Sequence, residues 1–316
     1  MQQGQFSYEE QKAKSKVAWD DFSNTYYSSL NRNSLSLMNT LMALTRIYQK
    51  NNILDIGCGP GYGTKLLTSD VPNTGSNIYA MDFSPEMLKL AHKIFSEYDD
   101  FNSNLRNFWD YREEDPQEKI NIEKDLEDIR KEKIGKVVRF LEGNAECLRF
   151  EDAQFEVYIS NLCLMLCINV EKAIKESFRV LKNDGIAAFT IWGKKIESKL
   201  ILSIFEEVFQ QYEIDMSKER SSFWLAEDPE NLKKKFLEAG FKEVRIEYTT
   251  EIYDCFDEAD FCAKFKGPRI KAIFDKLNDE KKAEEILDAV RREAKKQFTD
   301  NQQMPTLNVM TILAFK

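Results

Sequence analysis

Two hydrophobic periods divide the chain. Residues 1–50 carry the longer one. "SLSLMNTLMALTRIYQK" sets Leu37, Leu41, Leu44 and Ile47 three to four residues apart, the stripe of an amphipathic helix. The aromatic-rich "KVAWDDFSNTYYSSL" before it also reads as helical. From residue 52 short apolar runs take over. "NILDIG", "NIYAMDF", "KVVRFLEG", "FEVYISN", "IAAFTIWG", "EVRIEYTT" and "NVMTILAF" read as seven strands. "GYGTKLL", "SPEMLKLAHKIF", "VEKAIKESFRVLK", "DPENLKKKFLEAGF" and a stretch near 275–298 read as helices between them. In that last stretch Ala283, Ile286, Leu287, Val290 and Ala294 share a face. Ser84 is placed to cap one helix, with Pro85 at its first position. The "NDG" of residues 183–185 and Gly240 are stop signals.

Strands alternating with helices specify a mostly parallel sheet covered on both faces. The expected fold is α/β, a Rossmann-like doubly wound sheet of seven strands with a helical N-terminal lid. One interval, 97–136, breaks the rhythm. It is dense in charge, and "PQEKINIEKDLEDIRKEKI" reads as a helix with a narrow stripe of Ile122, Leu126 and Ile129. It is expected to be a helical insertion, either solvated or serving as a contact for a protein partner.

The first strand runs into Gly57, Gly59 and Gly61, in "NILDIGCGPGY". A loop between a strand and a helix presents unpaired N–H groups, and glycine lets a ligand press against that backbone. Such ligands bind beyond the carboxyl ends of the strands. Dinucleotide sites use G-x-G-x-x-G, whereas this loop offers G-x-G-x-G. Asp55 stands two residues before Gly57, where a carboxylate opposes a pyrophosphate and suits a cation. Asp82 ends the second strand, placed to accept from ribose hydroxyls. Asn144 and Ala145 follow the third strand, and Asn161 ends the fourth. The ligand implied has a ribose, a cationic part and no phosphate. S-adenosylmethionine fits that description.

"LDIGCGPG", "MDFSPEML", "EGNAECLRFEDAQFEV", "ESFRVLKNDG" and "FLEAGFKEV" occur in that order over roughly residues 50–245. With them the chain resembles class I S-adenosylmethionine-dependent methyltransferases of the type 11 small-molecule group. "WDDFSNTYY" resembles the segment that caps the cofactor in many members. The resemblance implies that Gly57, Cys58, Gly59 and Gly61 line the methionine moiety, and that Asp55 holds the loop and acts on the amino group. It further implies that Asp82 binds the ribose and that Phe83 and Met87 flank ribose and adenine. Asn144 and Ala145 would meet the adenine edge, Asn161 would approach the methionine portion, and Tyr26 would close the lid. Asn144 stands where many members have Asp, Ser23 where a small Ala is usual, and Tyr27 where an Asp follows. The implied division is a cap over 1–50 and a methyltransferase domain over 51–316, with segments 194–227 and 253–300 covering the acceptor.

The activated methyl group would pass to a small-molecule acceptor by in-line displacement, so the enzyme mainly aligns the reactants. Trp19, Phe22, Tyr26, Tyr27, Trp192, Phe205, Phe209, Phe223 and Trp224 suit a partly apolar acceptor, or else form the cover's own core. The single histidine, His92, lies among Lys and Phe on a helix and reads as a surface residue. No catalytic residue is singled out. A catalytically silent scaffold subunit and a protein methyltransferase are the alternatives. The second lacks an Asn-Pro-Pro-Tyr-like run, the equivalent stretch reading "SNLCLMLC". A nicotinamide-binding reductase is disfavoured by Asp55 and the glycine spacing.

Composition narrows the classes further. Net charge is −9, which opposes binding of nucleic acid through a general field. No apolar run reaches membrane-span length, and "MQQGQFSYEEQKAKSK" lacks a secretory apolar core. Six scattered cysteines with no CxxC pair argue against zinc and read as reduced core residues. The expected location is the cytoplasm.

Overall fold

The computed structural model describes residues 7–29, 31–72, 75–99, 105–110, 120, 136–214, 220–253, 255, 257–264 and 267–316. Two helices come first, α1 (Tyr8–Ser29) and α2 (Asn31–Thr45). Then follow β1 (Asn52–Ile56), α3 (Tyr62–Asp70), β2 (Ser76–Asp82), α4 (Pro85–Asp99), β3 (Leu105–Asp110), β4 (Lys136–Glu142) and β5 (Phe155–Asn161). The second half holds α5 (Val170–Val180), β6 (Leu181–Trp192), α6 (Ile201–Gln211), α7 (Pro229–Glu238) and β7 (Glu243–Ile252). It ends with α8 (Glu258–Lys264), α9 (Pro268–Leu277), α10 (Glu280–Lys295) and β8 (Thr306–Phe315).

The strands form one sheet in the order β3-β4-β2-β1-β5-β6-β8-β7. Every pairing from β3 to β6 is parallel, and β8 runs antiparallel between β6 and β7. Strand order reverses beside β1, so the carboxyl ends of β1, β2, β4 and β5 open onto one crevice. All seven expected strands are present. An eighth, β3, lies in the interval expected to be a helical insertion and extends the sheet beside β4. The helix expected over 116–134 lies outside the described residues apart from Ile120, which bridges to Phe150.

The sheet buries apolar residues on both faces, as parallel strands must. One face packs Val170, Ala173 and Ile174 of α5 and Leu232 and Phe236 of α7. The other packs Met38, Leu41 and Met42 of α2, Leu67 of α3, and Leu88, Ala91 and Phe95 of α4. Leu44, expected on the α2 stripe, is 44% exposed, and Met38 and Met42 take up the contact instead. A third cluster lies off the sheet, where Phe205 and Phe209 of α6 meet Phe261, Ile273, Ile286 and Val290 of α8–α10.

Element ends follow local chemistry. The Met87 N–H donates to Ser84 Oγ at 3.1 Å, capping α4. Gly240, at φ 113°, ends α7 beside the Phe178 ring, 2.6 Å from where a Cβ would stand. The "NDG" stop works differently from expectation. α5 gives way to extended backbone at Leu181, and Asp184 rather than Gly185 takes the left-handed conformation, at φ 64°. The cysteines form no disulfide; Cys58, Cys167 and Cys262 are buried, but Cys147 is exposed, contrary to the core reading. Among the described residues no helix is long and apolar enough to cross a membrane.

Candidate active site

A cavity of about 1010 Å³ lies over the carboxyl ends of the strands. Its floor is the glycine loop. Gly57 and Cys58 N–H both donate to Met81 O, at 2.8 and 3.1 Å, which ties the loop to β2. Gly57, Gly59 and Gly61 all have positive φ (72°, 55° and 82°), a backbone that side chains strain. A Cβ on Gly57 would stand 2.6 Å from Cys163 Sγ, so the loop and the turn after β5 touch directly. Gly61 does not line the cavity. Its missing side chain admits Ala91, 3.0 Å from the Cβ position, and brings α3 against α4.

Two carboxylates stand beside the loop. Asp82 accepts from Gly59 N–H at 2.8 Å and Ser84 N–H at 2.9 Å. Burial pushes its pKa up to about 6, against the pull of those N–H groups. Asp55 is buried and accepts from Thr64 Oγ1 at 2.7 Å. Burial pushes it up to about 7, and neighbouring Asp82 adds to the rise. A cation in the cavity would favour the ionised form of both groups.

The remaining expected residues are brought together unevenly. Cys58, Phe83, Met87 and Ala145 line the cavity, Met87 while only 3% exposed. Asn144 lines it too, but its Nδ2 donates to Tyr8 Oη at 3.2 Å and its Oδ1 accepts from Glu146 N–H at 3.0 Å. Asn161 is likewise engaged, donating to Ser34 O at 2.7 Å and accepting from Thr190 Oγ1 at 2.6 Å. It fastens α2 to the sheet at the cavity wall. Tyr26 lines the cavity in an edge-on cluster with Trp19 and Phe22, its ring 3.8 Å from the Cβ position of Gly59. His92 is exposed on α4 and does not line the cavity.

Three site residues escape a sequence reading. Glu146 accepts from Tyr8 Oη at 2.9 Å and from Ile168 N–H at 2.7 Å. Burial, with Glu146 adding to it, pushes the Tyr8 phenol up to about 12. Glu146 sits two residues after Asn144 and could have been found there. Tyr8, which touches Glu146 from off the wall, and Arg220, which is on it, carry no such signal. Two further contacts hold α1 over the strand ends, Lys16 to Glu142 and Ser84 Oγ to Asp20.

The same cavity is lined by Trp19, Phe22, Trp192, Phe205, Phe209 and Phe223. Two expected aromatics are not on its wall. Tyr27 stacks on Tyr62 at 5.6 Å, and Trp224 Nε1 donates to Met165 O at 3.1 Å from behind.

Residues 54–189 match the family described as a methyltransferase domain. Over those residues the chain is similar to methyltransferase domains. It is 26% identical, over 57% of its length and 49% of the relative's, to a malonyl-[acyl-carrier protein] O-methyltransferase of Acetivibrio thermocellus. It thus spans about half of that protein. It is 26% identical to a demethylmenaquinone methyltransferase of Lactococcus lactis over 62% of this chain and 67% of the relative. The solved structure of the [4+2]-cyclase SpnF shares the fold, with a TM-score of 0.52 at 14% identity over 95% of this chain and 96% of that one.

The residues lining the cavity fit S-adenosylmethionine. Phe83 and Met87 offer apolar walls beside Asp82, a carboxylate at a strand end. The two carboxylates suit the cationic end of S-adenosylmethionine, and the cavity has room beyond it.

Proposed function

We propose that the protein transfers a methyl group from S-adenosylmethionine to a small-molecule acceptor held in the aromatic half of the same cavity. The continuity of the cavity carries this reading. The glycine loop, Asp55 and Asp82 and the rings of Phe205, Phe209 and Phe223 all line a single space of about 1010 Å³. That is at the upper end of what one small ligand needs, about 300–1,000 Å³.

When bound, S-adenosylmethionine supplies a methyl group already activated on a sulfonium. The chain's residues then have three tasks. Asp82, held by Gly59 and Ser84, offers fixed acceptor lone pairs at the end of β2. Helix α1, latched by Tyr8 and Asp20, screens the strand ends from water. The aromatic wall orients the acceptor, and orientation alone supplies about 7–11 kcal/mol of barrier reduction in favourable cases. No histidine lines the cavity, so a proton lost by the acceptor passes to a carboxylate, a phenol or water.

Calorimetric titration with S-adenosylmethionine and S-adenosylhomocysteine tests the reading. Micromolar binding is expected, weakened about ten- to hundredfold in Asp82→Ala, the size of a lost charge-assisted contact. A folded wild-type protein that binds neither compound is not a methyltransferase.

A further inference from the structure

The cavity wall carries a charge away from the glycine loop's own residues. Arg220 lines it, held against the turn that follows β5. Its Nη2 donates to the main-chain oxygens of Met165 (3.3 Å), Leu166 (3.5 Å) and Cys167 (3.0 Å). Its guanidinium lies over the Trp224 ring at 4.9 Å, and the Trp224 indole is fixed in turn by Met165 O. The group is thus clamped along one edge. Its Nε and Nη1 hydrogens bond to no described residue, and no described carboxylate lies within ion-pair distance. The nearest acidic influence is Glu146, whose oxygens are taken by Tyr8 and Ile168. Of the other cations lining the cavity, Lys195 pairs with Glu206 and Lys12 lies 3.8 Å from Glu9.

A planar fork with fixed direction and donors that no described residue takes up matches a carboxylate. One net positive charge matches a monoanion better than a doubly charged phosphate. The rings of Phe205, Phe209 and Phe223 line the same cavity as Arg220, so they offer an apolar surface to the rest of such a ligand.

We propose that the acceptor carries a carboxylate that seats on Arg220, with its apolar body among Phe205, Phe209 and Phe223. The inference rests on the reading of this cavity as shared by cofactor and acceptor. The carboxylate is a recognition group, and Arg220 is a specificity residue that fixes the acceptor's orientation.

The test is calorimetry on protein loaded with S-adenosylhomocysteine, using p-coumarate and decanoate, each against its uncharged primary amide. At least one acid is expected to bind about tenfold or more tighter than its amide. In Arg220→Gln that preference falls to about twofold or less, while Arg220→Lys keeps part of it and both variants keep wild-type affinity for S-adenosylhomocysteine. Equal binding of acid and amide, no binding of either acid, or a preference that survives Arg220→Gln overturns the proposal. Should Arg220→Gln fail to fold, the wild-type acid–amide comparison and Arg220→Lys decide it alone. If the wild-type protein fails to bind S-adenosylhomocysteine, the cofactor reading falls and takes this inference with it. Binding of that compound with no acid preference removes the inference and leaves the cofactor reading standing.

Discussion

Asp55 is the residue at which stability and function pull apart. Its pKa is raised by burial from 3.8 to about 7, so the folded protein holds a proton that the unfolded chain releases at lower pH. Between those values the native state binds more protons, and stability falls as pH rises through the window. Asp82 does the same between 3.8 and about 6. Thermal melts of the ligand-free protein should therefore show less loss from pH 5 to pH 8 in Asp55→Asn than in wild type. The variant should bind S-adenosylmethionine more weakly at pH 8. A melting-temperature slope unchanged by the substitution would refute the charge argument. The glycines divide in the same way. Gly57→Ala meets Cys163 at 2.6 Å in a left-handed backbone, and Gly61→Ala meets Ala91 at 3.0 Å. Each should cost about 1–3 kcal/mol in denaturant unfolding. Because Gly61 faces α4, its variant should keep S-adenosylhomocysteine affinity wherever it stays folded.

Among the elements, α1 and α2 are fastened to the strand ends by side chains that the sequence ties to other roles. Asn161 was expected at the cofactor but serves Ser34 O and Thr190 Oγ1. Asn161→Ala should thus destabilise by about 1–3 kcal/mol, from the partners it leaves unsatisfied, and a melt indistinguishable from wild type would contradict this. Tyr8→Phe frees Glu146 from one bond, and stopped-flow release of S-adenosylhomocysteine should speed up several-fold. The strands were legible because buried parallel strands are continuous apolar runs, and each of the seven stood out. Strand β3, "LRNFWD", was not, since its polar residues hide an edge strand within a charged interval. The site was half legible. Asp55, Asp82 and the glycines announce themselves by local spacing, whereas Tyr8 meets Glu146 across 138 residues and Arg220 meets Cys167 across 53. Contacts of that reach leave no periodic trace.

At the scale of the whole molecule, the sheet and the helical cluster of α6 and α8–α10 meet along one cavity. Phe205, Phe209 and Phe223 belong both to that cluster's core and to the cavity wall, so the two readings of these aromatics are compatible. The central claim is that one space serves two ligands. A crystal structure of the protein with S-adenosylhomocysteine tests it most directly. The account predicts the ribose on Asp82, the amino-acid end beside Gly57 and Gly59, and open space between Phe205, Phe209 and Arg220. S-adenosylhomocysteine lodged among those rings, or bound away from Asp82, would contradict it.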